Sequence, residues 1–156
     1  MEQPKVIHST FTLERSFNKS PEAVFAALSD PAKLRRWFAG ENQNDFQEFT
    51  VDFRVGGEEH LRYRLKGGPV DGKEIVNLGR FMEIVPNERI VTARTMALEG
   101  KRFSASQVTY ELLPSKQGTD LICTHQGAFF EMPNGPQMLE AGWRALMDKL
   151  AAELAA

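Results

Sequence analysis

The sequence predicts a single α+β domain in which a curved antiparallel sheet is closed by one long C-terminal helix, and three features of the chain predict it. Residues 46–130 alternate apolar and polar side chains between short turn signals, which is the period of strands with one buried face. Residues 137–154 carry an apolar stripe at spacings of three and four, the period of a helix with one buried face. Two helix starts, Ser20-Pro21 and Asp30-Pro31, lie between the first apolar alternation and this long segment. In each, an N-cap residue precedes a proline whose fixed φ suits the first helical position.

Taken in order, Phe11, Leu13 and Phe17 alternate with Thr10, Thr12, Glu14 and Ser16, so a first strand is expected over residues 8–17. Val24, Phe25 and Leu28 mark the apolar face of a short helix, and Leu34, Trp37 and Phe38 that of a second, with Gly40 as its stop. A meander of about six strands follows, divided by Gly56-Gly57, Gly67-Gly68-Pro69, Asp71-Gly72, Pro86-Asn87, Gly100 and Pro114 through Gly118. Phe49, Val51, Phe53 and Val55 share one face of its first strand. Leu61, Tyr63 and Leu65 share one face of the second, opposite His60, Arg62, Arg64 and Lys66. Val108, Tyr110 and Leu112 repeat the alternation in the next-to-last strand, whereas residues 75–85 and 120–130 are apolar on both parities and leave their inward face unassigned. In the last helix Leu139, Trp143, Leu146, Leu150 and Leu154 form the stripe, with Glu140, Arg144 and Asp148 opposite at pairing intervals. Its length of about 27 Å is enough to cross the sheet.

Composition narrows the class. The 156 residues are 42% hydrophobic and 26% charged, close to the globular average. No repeat or linker divides them, so residues 1–156 are read as one domain with its core over about 8–154. Nineteen basic and 21 acidic side chains give a net charge of −2, and no Lys/Arg run supplies a phosphate-binding footprint, so nucleic acid is not expected as a partner. No apolar stretch approaches the length of a membrane span, and Met1 to Thr10 lack the apolar core of a signal peptide. The lone Cys123 permits no intrachain disulfide. A cytoplasmic location is expected.

A sheet wrapped around one helix leaves space that only large side chains fill, and Gly56, Gly57, Gly79 and Gly127 remove bulk instead. A cavity is therefore expected, apolar with a few placed polar groups. The aromatics placed in the interior are Trp37, Phe38, Phe49, Phe53, Tyr63, Phe81, Tyr110 and Trp143. The expected wall has Trp37, Phe53, Tyr63, Phe81 and Tyr110 on one side and Met138, Leu139 and Trp143 on the other. Arg15 shares the parity of Leu13 and Phe17, so it requires an internal carboxylate such as Glu83, a head group that reaches the rim, or an acidic ligand group.

Cys123 and His125 share a strand face, but zinc needs three or four ligands, so neither a metal nor a cofactor is expected. Glu83, Asp52, Tyr63, Tyr110 and His125 are candidate proton carriers, yet their spacing defines no triad or carboxylate pair, and no catalytic residue is assigned. The paired glycines lack the strand-to-helix setting of a nucleotide-binding loop. The stripe of His60, Arg62, Arg64 and Lys66 is read as a solvated sheet face.

Several ordered segments carry a resemblance over about Phe11 to Leu154. They are Arg15-Ser16-Phe17 leading to Ser20-Pro21-Glu22-Ala23-Val24-Phe25, Leu34 with Trp37, Asp52 through Gly57, Gly79 through Ile90, Thr119 to His125, and Gly142-Trp143. In these the chain resembles the SRPBCC superfamily of START-like and birch-pollen-allergen-like domains, in the branch homologous to the activator of the 90-kDa heat-shock chaperone ATPase. The resemblance implies a helix-grip fold of order β-α-α-β6-α with a central cavity. Members include ligand carriers, aromatase/cyclases and co-chaperones, so fold does not fix function. The co-chaperone role is associated with a separate N-terminal domain, and residues 1–7 alone precede the first strand here. Binding of a small apolar or amphipathic ligand is the expected function. The alternatives are a cyclase/dehydratase-type enzyme using the same cavity, and a stress-related or co-chaperone-like module with a protein partner or a weak homodimer.

Overall fold

The computed structural model describes residues 4–39 and 45–156. Strand β1 (Val6–Phe17) leads through helix α1 (Pro21–Ser29) and helix α2 (Pro31–Leu34) into a π turn, Arg35–Ala39. Strands β2 (Asp45–Val51), β3 (Glu58–Arg64), β4 (Glu74–Val85), β5 (Arg89–Leu98), β6 (Lys101–Ser115) and β7 (Gly118–Phe130) follow, and helix α3 (Gly135–Ala155) completes the chain. The strands form one antiparallel sheet in the order β1-β7-β6-β5-β4-β3-β2. After β1 the chain crosses to the far edge and walks back strand by strand until β7 pairs with β1. This is the α+β helix grip that the patterning predicts.

Local chemistry explains the punctuation. Ser20 Oγ accepts from the Ala23 amide at 3.2 Å, and Asp30 Oδ1 from the Ala32 amide at 2.9 Å, so each short helix has a side-chain cap. The indole Nε1 of Trp37 donates to the Ala27 carbonyl at 2.8 Å, fixing the π turn against α1. The expected stop at Gly40 lies outside the described residues. Between β5 and β6, Glu99 and Gly100 both adopt positive φ, 50° and 82°, the requirement of a two-residue type I′ hairpin. Register shifts at Phe46/Glu48, Phe81/Glu83 and Met96/Ala97 bend the sheet.

The unassigned strands now have an inside. In β4, Ile75, Asn77 and Phe81 face inward and Leu78 and Met82 outward; in β7, Leu121, Cys123, His125 and Phe129 face inward. Two expectations need correction. β2 ends at Val51, so the segment 52–57 is a turn: Val55 is exposed, while Phe53 folds back to pack on Phe25 and Phe81. β3 ends at Arg64, which leaves Leu65 and Lys66 beyond it.

Helix α3 has 21 residues, about 32 Å. Its C-terminal half buries Met147, which the predicted stripe omitted, with Leu150 and Leu154 in the main core beside Val24, Leu28 and Trp37. Arg36 of the π turn closes this end with a pair to Glu153 at 2.8 Å. On the outer sheet face the basic stripe is matched rather than open: His60 pairs with Glu58, Arg62 with Glu48 and Glu74, and Arg64 donates to the Gly72 carbonyl. Among the described residues no helix is long and apolar enough to cross a membrane.

A cavity beneath the C-terminal helix

The N-terminal half of α3 is held off the sheet, and a cavity of about 310 Å³ lies beneath it. Its roof is Met138, Leu139, Gly142, Trp143 and Leu146 of α3, of which Trp143 is also buried in the main core and Leu139 and Leu146 pack against that core. The floor is strand β4 and β5, through Ile75, Asn77, Arg94, Met96 and Leu98. One wall is aromatic, with Phe38, Phe46 and Tyr63 exposed to it. These rings belong to a continuous chain of edge and stacked contacts, Trp37–Phe38–Phe49–Phe46–Tyr63, with centroid separations of 4.7–6.1 Å. Such edge and offset contacts favour this arrangement of the wall.

The expected site residues divide. Tyr63, Met138, Leu139 and Trp143 line the cavity together. Trp37 lies behind Phe38 and is committed to α1 by its hydrogen bond. Phe53 and Phe81 pack on each other at 5.0 Å outside the lining, and Tyr110 meets Trp143 edge-on at 6.2 Å, behind the roof. Phe81 and Tyr110 border a separate void of about 20 Å³ on the far side of Arg94. Arg15 is not at the cavity. It sits on an edge strand, and its long arm runs outward to Asp148 on α3 at 3.6 Å. Glu83, its suggested partner, pairs with Arg89 at 2.6 Å.

The most consequential polar group of the site was not anticipated. Arg94 Nε lies 2.8 Å from Glu59 Oε1, with side chains only 9% and 5% exposed. The contact is short but poorly aligned as a hydrogen bond, so charge rather than N–H direction holds it. The guanidinium also lies 5.3 Å above the Trp143 ring, a cation–π arrangement strengthened by desolvation. Glu59 finds its space because Gly79 is directly opposite on β4. Beside this pair Asn77, 3% exposed, presents an amide oxygen with no hydrogen-bond partner among protein atoms. Parity could have found Glu59, which shares the strand face of Leu61 and Tyr63, but a carboxylate at that position reads as solvated unless its cation is known.

Burial sets the protonation of the candidate proton carriers. Burial pushes the Tyr63 hydroxyl up to about 12, so at neutral pH it donates or accepts hydrogen bonds without ionising. His125 lies in a layer of rings, stacked on Phe11 at 4.9 Å and flanked by Phe129 and Trp143. Burial, with the nearby Arg94 charge, lowers it to about 4. Tyr110 and Cys123 are raised by burial. Asp52 and Glu83 are outside, paired with Arg54 and Arg89. Of the five candidate proton carriers, Tyr63 lines the cavity. Lys149, the most C-terminal residue of the roof, is lowered by burial. Cys123 and His125 share the inward face of β7, and no cluster of three or more His, Cys, Asp or Glu forms among the described residues.

A bent antiparallel sheet that grips one helix over an internal cavity defines the helix-grip, START-like class of domain. The chain belongs to the Activator of Hsp90 ATPase homolog 1-like protein family, whose model matches residues 18–155. It is similar to the crystal structure of Mll3558 from Rhizobium loti, at 45% identity over 95% of this chain and 98% of that one, with a TM-score of 0.85. An uncharacterized protein from Rhizobium leguminosarum matches at 30% identity, 96% of each chain and a TM-score of 0.85. CV1439 from Chromobacterium violaceum matches at 27% identity, 94% of this chain and 97% of that one, with a TM-score of 0.73. No functionally curated protein matches the chain.

Proposed function

We propose that this protein binds a small amphipathic molecule, aromatic or lipid-like, in the cavity beneath α3. The observation that carries the reading is the contrast within the lining: an aromatic and aliphatic wall around a few hydrogen-bonding groups, the buried Asn77, the Arg94 guanidinium and the half-buried Tyr63. A volume of about 310 Å³ is at the lower end of small-molecule pockets, which span about 300–1,000 Å³. It suits one or two fused rings or a short acyl chain. Burial of such a body contributes about 25 cal/mol per Å² of apolar surface, and the polar groups orient one end. The mouth lies along α3, where Met138 is exposed and Gly142 has open space beside it.

The test is methyl NMR of the full chain, titrated with a panel of fatty acids, flavonoids and aromatic polyketides, together with native mass spectrometry of freshly purified protein. Saturable shifts at Met96, Met138, Leu139 and Leu146 are expected, and they should disappear in a Gly142→Leu variant that fills the mouth. A panel without binding, from a protein that also carries nothing from the cell, would sink the proposal.

A further inference from the structure

We infer that the ligand carries a neutral hydroxyl, seated between Asn77 and Arg94 at the buried end of the cavity; this deepens the binding proposal and rests on it. Two observations converge. Asn77 is 3% exposed and its Oδ1 has no protein donor, so the group that meets it must bring a hydrogen. Arg94 borders the same space, and its buried Nε–H has no hydrogen-bond acceptor among protein atoms. A hydroxyl supplies both from one oxygen.

Charge decides against the other head groups. Glu59, 2.8 Å from Arg94 and 5% exposed on its side chain, already balances the cation. A ligand carboxylate would add a second negative charge beside the buried Glu59 and turn lone pairs toward Asn77 Oδ1. An ammonium would satisfy Asn77 but press against the guanidinium. Lys149 is the other cation of the lining, six residues beyond Trp143 on α3. That is about 9 Å along the helix axis from the ring that Arg94 covers, too far to serve a group seated there. The rest of the ligand lies against Phe46, Tyr63 and Trp143, which favours a flat ring.

The experiment compares three probes of one shape, 2-naphthol, 2-naphthoate and 2-methylnaphthalene, by calorimetry and methyl NMR on the full chain at pH 7. The naphthol is expected to bind at least about tenfold more tightly than either of the others. Asn77→Leu should abolish its advantage over 2-methylnaphthalene while leaving 2-methylnaphthalene bound. Should that variant not fold, Asn77→Val serves the same purpose with less bulk. A tighter naphthoate overturns the inference in favour of an anionic head group. Equal binding of naphthol and 2-methylnaphthalene, or an advantage that survives loss of the amide, overturns it while leaving the cavity as a binding site. Binding of none of the three, with the broader panel also silent, removes both.

Discussion

Gly79 faces Glu59 across the β3–β4 pair, and a Cβ at Gly79 would lie 2.6 Å from both Cγ and Oε1 of that carboxylate. The missing side chain is thus the space in which the buried ion pair is built. Gly79→Ala should destabilise the protein by about 1–3 kcal/mol, the range for overpacking a filled site. Gly142 on α3 makes the contrast, since no atom lies within 4 Å of its would-be Cβ. Gly142→Ala should stabilise by about 0.5–1 kcal/mol through helix propensity. Urea unfolding of the two variants side by side checks both signs.

Arg94→Met removes the counter-charge of a carboxylate that is almost wholly buried. A loss of about 3–5 kcal/mol is expected, because the remaining charge has no partner. The double variant Glu59→Leu/Arg94→Met should be more stable than Arg94→Met alone. A double-mutant cycle in denaturant reads the coupling directly, and an additive cycle would refute the pairing.

His125 predicts how stability follows pH. Its folded value is lowered to about 4, against about 6.5 for a free imidazole. The unfolded chain therefore binds the proton first. Stability is full above about pH 6.5 and falls as pH drops toward 4, by about 3 kcal/mol in total. Thermal unfolding between pH 7 and 4 should show this slope. His125→Leu should flatten it relative to the parent, leaving the later losses from Glu58, Glu131 and Glu153, whose carboxyls are held low by His60, Lys101 and Arg36.

Cys123 is 0% exposed, and burial pushes its thiol up to about 12. It should resist a disulfide reagent such as dithionitrobenzoate in the native state and react stoichiometrically in urea. Prompt labelling of the folded protein would show that β7 is more accessible than its packing indicates.

The sequence was most legible where one face is wet. Leu13 and Phe17 of β1, and Val108, Tyr110 and Leu112 of β6, are buried at the parity their alternation gives. It was silent in β4 and β7, where Leu78 and Met82 are apolar yet exposed, so neither face could be identified by polarity. Arg15 illustrates a different limit. Its backbone parity matches Leu13, but position at the sheet edge lets the arm bend out to Asp148, and parity says nothing about edges. The Glu59–Arg94 pair was illegible for a third reason: two charges 35 positions apart become partners only once β3, β4 and β5 lie side by side. Trp37, Phe53, Phe81 and Tyr110 of the expected wall do not border this cavity, because bulk alone does not distinguish a ring that lines a cavity from one that packs elsewhere in the core.

The pairing of β1 with β7 has a kinetic side. Val6 meets Phe130 and Phe17 meets Thr119, so β1 leaves the ribosome well before its partner, which is made about a hundred or more residues later. Contacts of such sequence separation are slow to close and late to form. Residues 6–17 therefore spend synthesis as an unmatched ribbon with Phe11, Leu13 and Phe17 uncovered, the state in which nascent chains are prone to aggregate. The sheet is sealed only when Phe130 has been made.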